Sequence, residues 1–164
     1  MQDKYATCEV LKKHNIPTIE NTILFNHRIN EGYNNAQVEN IVLTSVGVVV
    51  KPNNGTQGKN VYHCKTKEEI ESRIGEIFLL GCNVNVSPYY EIETEYRVFV
   101  LDGQVEIMYG KKKTEKDWKH NLSCGAKPIN IENGELKAKL EQIAIRSGKS
   151  IKYSICIYRY YTNK

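Results

Sequence analysis

Residues 48–64 read VVVKPNNGTQGKNVYHC. A run of valines has the bulk of a buried strand, and Pro52 ends it because proline cannot donate to a ladder. Two glycines follow closely, and then NVYHC, a second short strand. The stretch is a β-hairpin, and the question it raises is whether the hairpin holds phosphate. Gly55 and Gly58 let the backbone turn through positive φ and bring N–H groups near an anion. It is not a Walker loop, which needs four residues between its glycines, a Lys-Ser/Thr ending and a following helix. The strand that follows here also excludes the dinucleotide fingerprint. What remains is a flexible flap with Lys51 at its strand end. That lysine either points a charge at whatever the flap covers or is solvated on a plain surface hairpin.

Working outward, Asp3 can cap a first helix over roughly residues 4–14, which HNIP stops. TIENTILF predicts a strand reaching Phe25. NHRINEGYNNAQ is part loop and part short helix. TKEEIESRIGEIFLL predicts a helix with Ile70, Ile74, Ile77 and Phe78 on one face and Thr66 as its cap. NVNVSPYYEI, TEYRVFVLDG and QVEIMYG are strand-like, with a tight Asp-Gly turn in LDGQ. KKKTEKDWKHNLSCGAKP is polar and basic without clear periodicity. Residues 134–147 predict a helix with Leu136, Leu140, Ile143 and Ala144 inward and Gly148 as its stop. IKYSICIYRYY is a last strand. Helices follow hairpins rather than single parallel strands, so the class is α+β, not a doubly wound sheet. The division expected is a smaller lobe over 1–82 and a mostly antiparallel lobe over 83–164.

The chain has 164 residues, 40% hydrophobic and 26% charged, an ordinary globular balance. No run reaches the roughly 18–20 apolar residues of a membrane span, and the polar start is no signal peptide, so the cytoplasm is the expected compartment. Five cysteines (Cys8, Cys64, Cys82, Cys124, Cys156) without a CxxC suit reduced thiols better than a disulfide framework or a zinc site. Residues 92–164 carry a net +5 and residues 1–91 a net −1. A basic half favours an anionic ligand, although on charge alone a solvated basic face is the better account.

Four stretches, taken together and in order, resemble the ATP-grasp superfamily, in particular its glutamate-ligase and cyanophycin-synthetase-like carboxylate–amine ligases. DKYATCEVLKKHNIPTIENT looks like the opening of such domains. VVVKPNNGTQGKNV resembles their nucleotide-binding hairpin, and PYYEIETEYRVFVLDGQV their hinge strand. WKHNLSCGAKP is similar to their Asn-containing loop. The resemblance implies two α+β lobes with antiparallel sheets gripping ATP. It also implies a reaction in which ATP phosphorylates a carboxylate and an amine attacks the acyl phosphate. Lys4 and Lys51 would reach the nucleotide phosphates as point charges. The backbone of Asn54, Gly55, Thr56, Gln57 and Gly58 would close over them. Tyr89, Tyr90, Glu91 and Ile92 would give backbone hydrogen bonds and walls to the adenine, and Glu95 would accept from the ribose. Arg97 and Lys119 would face phosphate or the acyl phosphate, and Asn121 would complete the polar wall or help hold metal.

Each residue also has a plainer role. Lys4 can be a surface lysine of a first helical turn, Glu95 an exposed strand residue, and Tyr89 and Tyr90 ordinary sheet aromatics. The Lys111–Lys113 run reads as a mobile, solvated loop. His120 and Cys124 at i, i+4 would pair on a metal only in a helix, and KHNLSCG is not helical in pattern.

The sequence departs from the family in its acidic residues. Phosphoryl transfer needs magnesium, and magnesium takes oxygen ligands. The family supplies these as an Asp or Glu on a late strand and a Glu-x-Asn pair. Here the last acidic residue is Glu141. The expectation is a domain short at both ends, with an incomplete C-terminal lobe, an incomplete magnesium site and incomplete catalytic machinery. Its last strand would then be an exposed edge that favours self-association. Two alternatives stand below this one: a nucleic-acid module using the basic half and its tyrosines, and a non-catalytic scaffold.

Overall fold

The computed structural model describes residues 3–27, 31–114, 118, 125–151 and 155–163. Side chains are described for these except residues 31, 151 and 155–163. The elements run α1 (Lys4–Lys13), β1 (Thr22–Leu24), α2 (Glu31–Glu39), β2 (Val48–Pro52), β3 (Tyr62–Cys64), α3 (Lys67–Leu79), β4 (Val84–Pro88), β5 (Ile92–Leu101), β6 (Gln104–Lys112), β7 (Lys127–Ile129), α4 (Gly134–Ile151) and β8 (Ile155–Asn163). The class is α+β, and every strand pairing is antiparallel. The chain divides into two units, Met1–Glu9 with Thr18–Tyr90, and Val10–Pro17 with Glu91–Lys164.

The first unit is built on a four-stranded sheet in the order β1-β4-β2-β3. Alternation along β2 and β4 sends Val48, Val50, Val84 and Val86 to one face, where they meet Leu24, Cys64 and the stripe Ile70, Ile74, Ile77 of α3. Helix α3 starts where its sequence says it should. Thr66 Oγ1 accepts from the backbone N–H of Glu69 at 3.2 Å, which satisfies one of the first-turn donors that the helix leaves open. Asp3 does the same for α1, its Oδ1 accepting from the N–H of Ala6 at 2.8 Å.

The second unit carries a sheet in the order β7-β6-β5-β8. Tyr96, Val98 and Val100 of β5 pack with Leu140, Ile143 and Ala144 of α4 and with Leu11 and Ile16. Asp102 and Gly103, at φ 48° and 83°, make the two-residue β5–β6 turn that an Asp-Gly pair favours. A bulge follows: Val100 pairs Val105 but Phe99 pairs Ile107, so Glu106 has no opposite number.

Three expectations change. Gly148 does not stop α4, which runs on to Ile151; a glycine costs a helix interior only about 1 kcal/mol, and the apolar face before it is fully buried at Leu140 and Ala144. The 111–113 run is not a solvated loop at its start, because Lys111 ends up inside β6 and is 2% exposed. The aperiodic basic segment also yields β7, three residues that pair with Gly110, Lys111 and Lys112. Three residues are too few for a period to register in the sequence.

Candidate functional site

The sheet of the first unit has a second face. Directly paired residues share a side of a sheet, and the register pairs Lys51 with Asn85 and Val49 with both Ser87 and His63. This face therefore carries Lys51, Asn85, Ser87 and His63, while its reverse is the apolar core. Lys51 Nζ donates to Ser87 Oγ at 3.2 Å. Asn85 is fully buried beside Lys51 in register, and neither polar atom of its side chain has a hydrogen-bond partner among the described residues. Beyond the end of β4, the N–H of Tyr89 donates to Gly47 O at 3.1 Å. Its ring stacks on that of His63, with centroids 3.8 Å apart and planes at 20°.

The hairpin between β2 and β3 is turn structure anchored from α1. Lys4 Nζ donates to the carbonyls of Pro52, Asn53 and Gly55 at 2.9, 2.8 and 2.6 Å. Asn53 is 1% exposed, and its Oδ1 accepts from the N–H of Tyr5 at 3.0 Å. Its Nδ2 donates to Asn54 Oδ1 at 3.2 Å. Gln57 and Gly58 take positive φ, 58° and 72°, whereas Gly55 does not. Asn54, Thr56 and Gln57 are exposed, and Gly55 and Gly58 are half-buried. The lysine of the first helical turn thus caps the hairpin's carbonyls, a role its sequence position does not announce.

In the second unit, Glu95 of β5 is 7% exposed. Its Oε1 accepts from Arg97 Nε at 2.8 Å and from Lys111 Nζ at 2.5 Å. Glu95 and Arg97 lie on the face of β5 that alternates with the core residues Tyr96 and Val98, and Lys111 is the direct cross-strand partner of Glu95. Among the described residues, one carboxylate between two cations leaves the cluster a net positive charge, which suits an anionic ligand better than a cation.

The structure brings the sequence-selected residues into three groups: Lys4 with the hairpin 54–58, Lys51 with Tyr89 on one face, and Glu95 with Arg97. Tyr90 is 44% exposed, Glu91 is exposed, and Ile92 opens β5. Lys119 and Asn121 lie outside the described residues, as do His120 and Cys124. Among the described residues no group of three or more His, Cys, Asp or Glu converges as for a metal ion.

Sequence reasoning missed Ser87, His63 and Lys111. The first two follow from period-two alternation once β2 is paired with its neighbours. Lys111 does not follow so simply. Counting back from the Asp102–Gly103 turn would set Glu95 opposite Gly110; the bulge at Glu106 moves Lys111 into that place.

The model of the RimK-like ATP-grasp domain matches residues 1–157. No curated protein matches the chain. Among solved structures, the chain is similar to the D-alanine–D-alanine ligase of Bacillus anthracis complexed with ATP, at TM-score 0.70 and 17% identity, over 99% of this chain and 53% of that one. It is similar to the VanG D-Ala:D-Ser ligase of Enterococcus faecalis at TM-score 0.76 and 15% identity, over 99% and 48%. For the D-alanine–D-alanine ligase of Coxiella burnetii the figures are 0.71 and 15%, over 99% and 44%. At such identities the likeness establishes the fold, and the chain spans about half the length of these proteins. With that family model matched over residues 1–157 of the 164, the chain belongs to the RimK-like ATP-grasp family.

Proposed function

We propose that the chain is an ATP-binding domain of the kind found in ATP-dependent carboxylate–amine ligases. One observation carries the reading. Lys51, half-buried, lies on the face of the first unit's sheet that is not core, with Asn85 and Ser87. The fit to a polar ligand rests on Asn85. A buried amide without partners costs about 1–3 kcal/mol, a cost that a polar group bound on this face would offset.

In this reading Lys51 and the hairpin backbone of residues 54–58 hold phosphate oxygens, and residues 89–92 flank the base. Lys4 acts first on the hairpin, whose carbonyls it caps, and through it on the phosphates. In the second unit Glu95 accepts from the ribose, with Arg97 facing phosphate. Lys119 and Asn121 complete the set by resemblance, outside the described residues. Bound ATP would supply the phosphoryl group that activates a carboxylate for attack by an amine. Magnesium is assigned Asn121 by resemblance, and among the described residues no group of three or more His, Cys, Asp or Glu converges. The cytoplasm remains the proposed compartment, and no described helix is long and apolar enough to cross a membrane. Strand β8 stands at the outer edge of its sheet among the described residues, so pairing with a second copy through that edge is part of the proposal.

The test is thermal. Millimolar ATP should raise the melting temperature by mass action, and Lys51→Ala should remove the rise. An unchanged melting temperature of the unsubstituted protein at millimolar nucleotide overturns the proposal. Turnover is tested separately: with Mg²⁺, ATP and candidate carboxylates and amines, no phosphate release above background is expected. Sustained release would show that the machinery is complete after all.

A further inference from the structure

The polar face of the first unit's sheet ends in an aromatic pair, and we propose that His63 is the positioning residue for the base end of the nucleotide site. The inference rests on the nucleotide-binding reading above and adds a residue from β3, outside the segments that the family resemblance assigned.

The geometry is specific. Strand β2 lies between β3 and β4, so His63 on β3 and Tyr89 past the end of β4 are separated by the width of one strand. They meet because the residue of the intervening chain is Gly47. A Cβ there would lie 2.3 Å from Cys64 O and 3.0 Å from His63 Nε2, and Gly47 also sits at φ 90°, a conformation costly for any residue with a side chain. The two rings close over this gap at 3.8 Å. His63 is fixed in turn, its Nε2 lying 2.6 Å from the carbonyl of Val46. A carbonyl only accepts, so that nitrogen carries the proton and the tautomer is set by the contact. The Tyr89 backbone is held by Gly47 O. Tyr89 is therefore clamped at both its backbone and its ring by residues 46–47 and 63.

Lys51 lies four residues along β2 from Gly47, about 13 Å at the usual strand rise. One end of this face offers a cation and the other a rigid pair of π-faces. A nucleoside phosphate has the same polarity along its length: anionic at one end and flat and aromatic at the other. His63 does not touch the base in this arrangement. It holds the Tyr89 ring in the orientation that flanks it, so that the entropy of ordering that ring is spent before the ligand arrives.

The experiment compares ATP with inorganic tripolyphosphate, which has the charge but no base, by calorimetric titration of the full chain. His63→Gln keeps a donor for the Val46 carbonyl and removes the stack, and should weaken ATP about three- to tenfold while leaving tripolyphosphate unchanged. His63→Phe keeps the ring and should bind ATP within about twofold of the original chain. Tyr89→Leu, which leaves the His63 contact to Val46 in place, should repeat the His63→Gln pattern. Unaltered ATP affinity in His63→Gln and Tyr89→Leu overturns the inference and leaves the nucleotide-binding reading standing. Equal losses for ATP and tripolyphosphate overturn it too, since they mark a role in the sheet alone. If the unsubstituted chain binds neither probe, both the inference and the reading beneath it fail.

Discussion

Glu95 has two cations on one oxygen. Arg97 and Lys111 both donate to Oε1, and Lys111 is 2% exposed. A charge that deep is tolerable only while its counter-ion is present. Replacing Glu95 by Gln takes that carboxylate from both cations and should cost about 3 kcal/mol of stability. Glu95→Gln with Lys111→Met should recover most of that, because the buried cation goes with its counter-ion. Urea unfolding midpoints at constant slope read both outcomes. A Glu95→Gln midpoint equal to the original would show that the pair carries no such weight. Single residues were unevenly legible in the sequence. Asp3 and Thr66 were readable as caps because capping is local, within three residues. Lys4 was not, since its three carbonyl partners are about fifty positions away and nothing in DKYAT encodes them.

Among the elements, β3 and α3 meet through Cys64 and the isoleucine stripe. Burial pushes the Cys64 thiol above its ordinary 9.0, with the charge of Glu69 adding to it. Burial also raises Tyr62, helped by the carboxylate of Glu76. A raised acid is neutral in the fold and gives up its proton more easily in the unfolded chain. Its contribution to stability is therefore complete below the unfolded value and is lost as pH climbs through the folded one. Unfolding temperatures should fall from about pH 9 upward, and Cys64→Val, close in volume, should flatten the slope. An identical slope in that variant would remove Cys64 from the account. The elements themselves were largely legible where they were long and amphipathic, as in α1, α3, β5 and β6. The eighteen residues of α4 were legible except at the end, where tertiary burial of one face outweighs the glycine penalty. The short β7 depends on an edge offered by β6, a partner that a local pattern cannot show.

For the molecule as a whole, the order of motifs identified the superfamily and the α+β class, although no single motif was decisive. The grouping of side chains was not legible, because it depends on pairings between distant strands. The charge asymmetry is partly local, since Arg97 and Lys111 of the basic half share the one carboxylate of Glu95. The bulge at Glu106 governs that outcome. It works as a spatial reading frame: every side chain from Ile107 to Lys112 owes its side of the sheet to one supernumerary residue. Flatten the bulge with every residue kept, so that Glu106 pairs Phe99, and the parity of the strand inverts, setting Lys111 opposite Thr94 and the apolar layer and Gly110 opposite Glu95. In a surface loop the loss of one residue is a minor edit. At position 106 it would likewise leave Lys111 opposite Glu95, in a plain ladder; what decides whether this sheet offers a ligand a charge or a blank is that the extra residue is absorbed there and not passed down the strand.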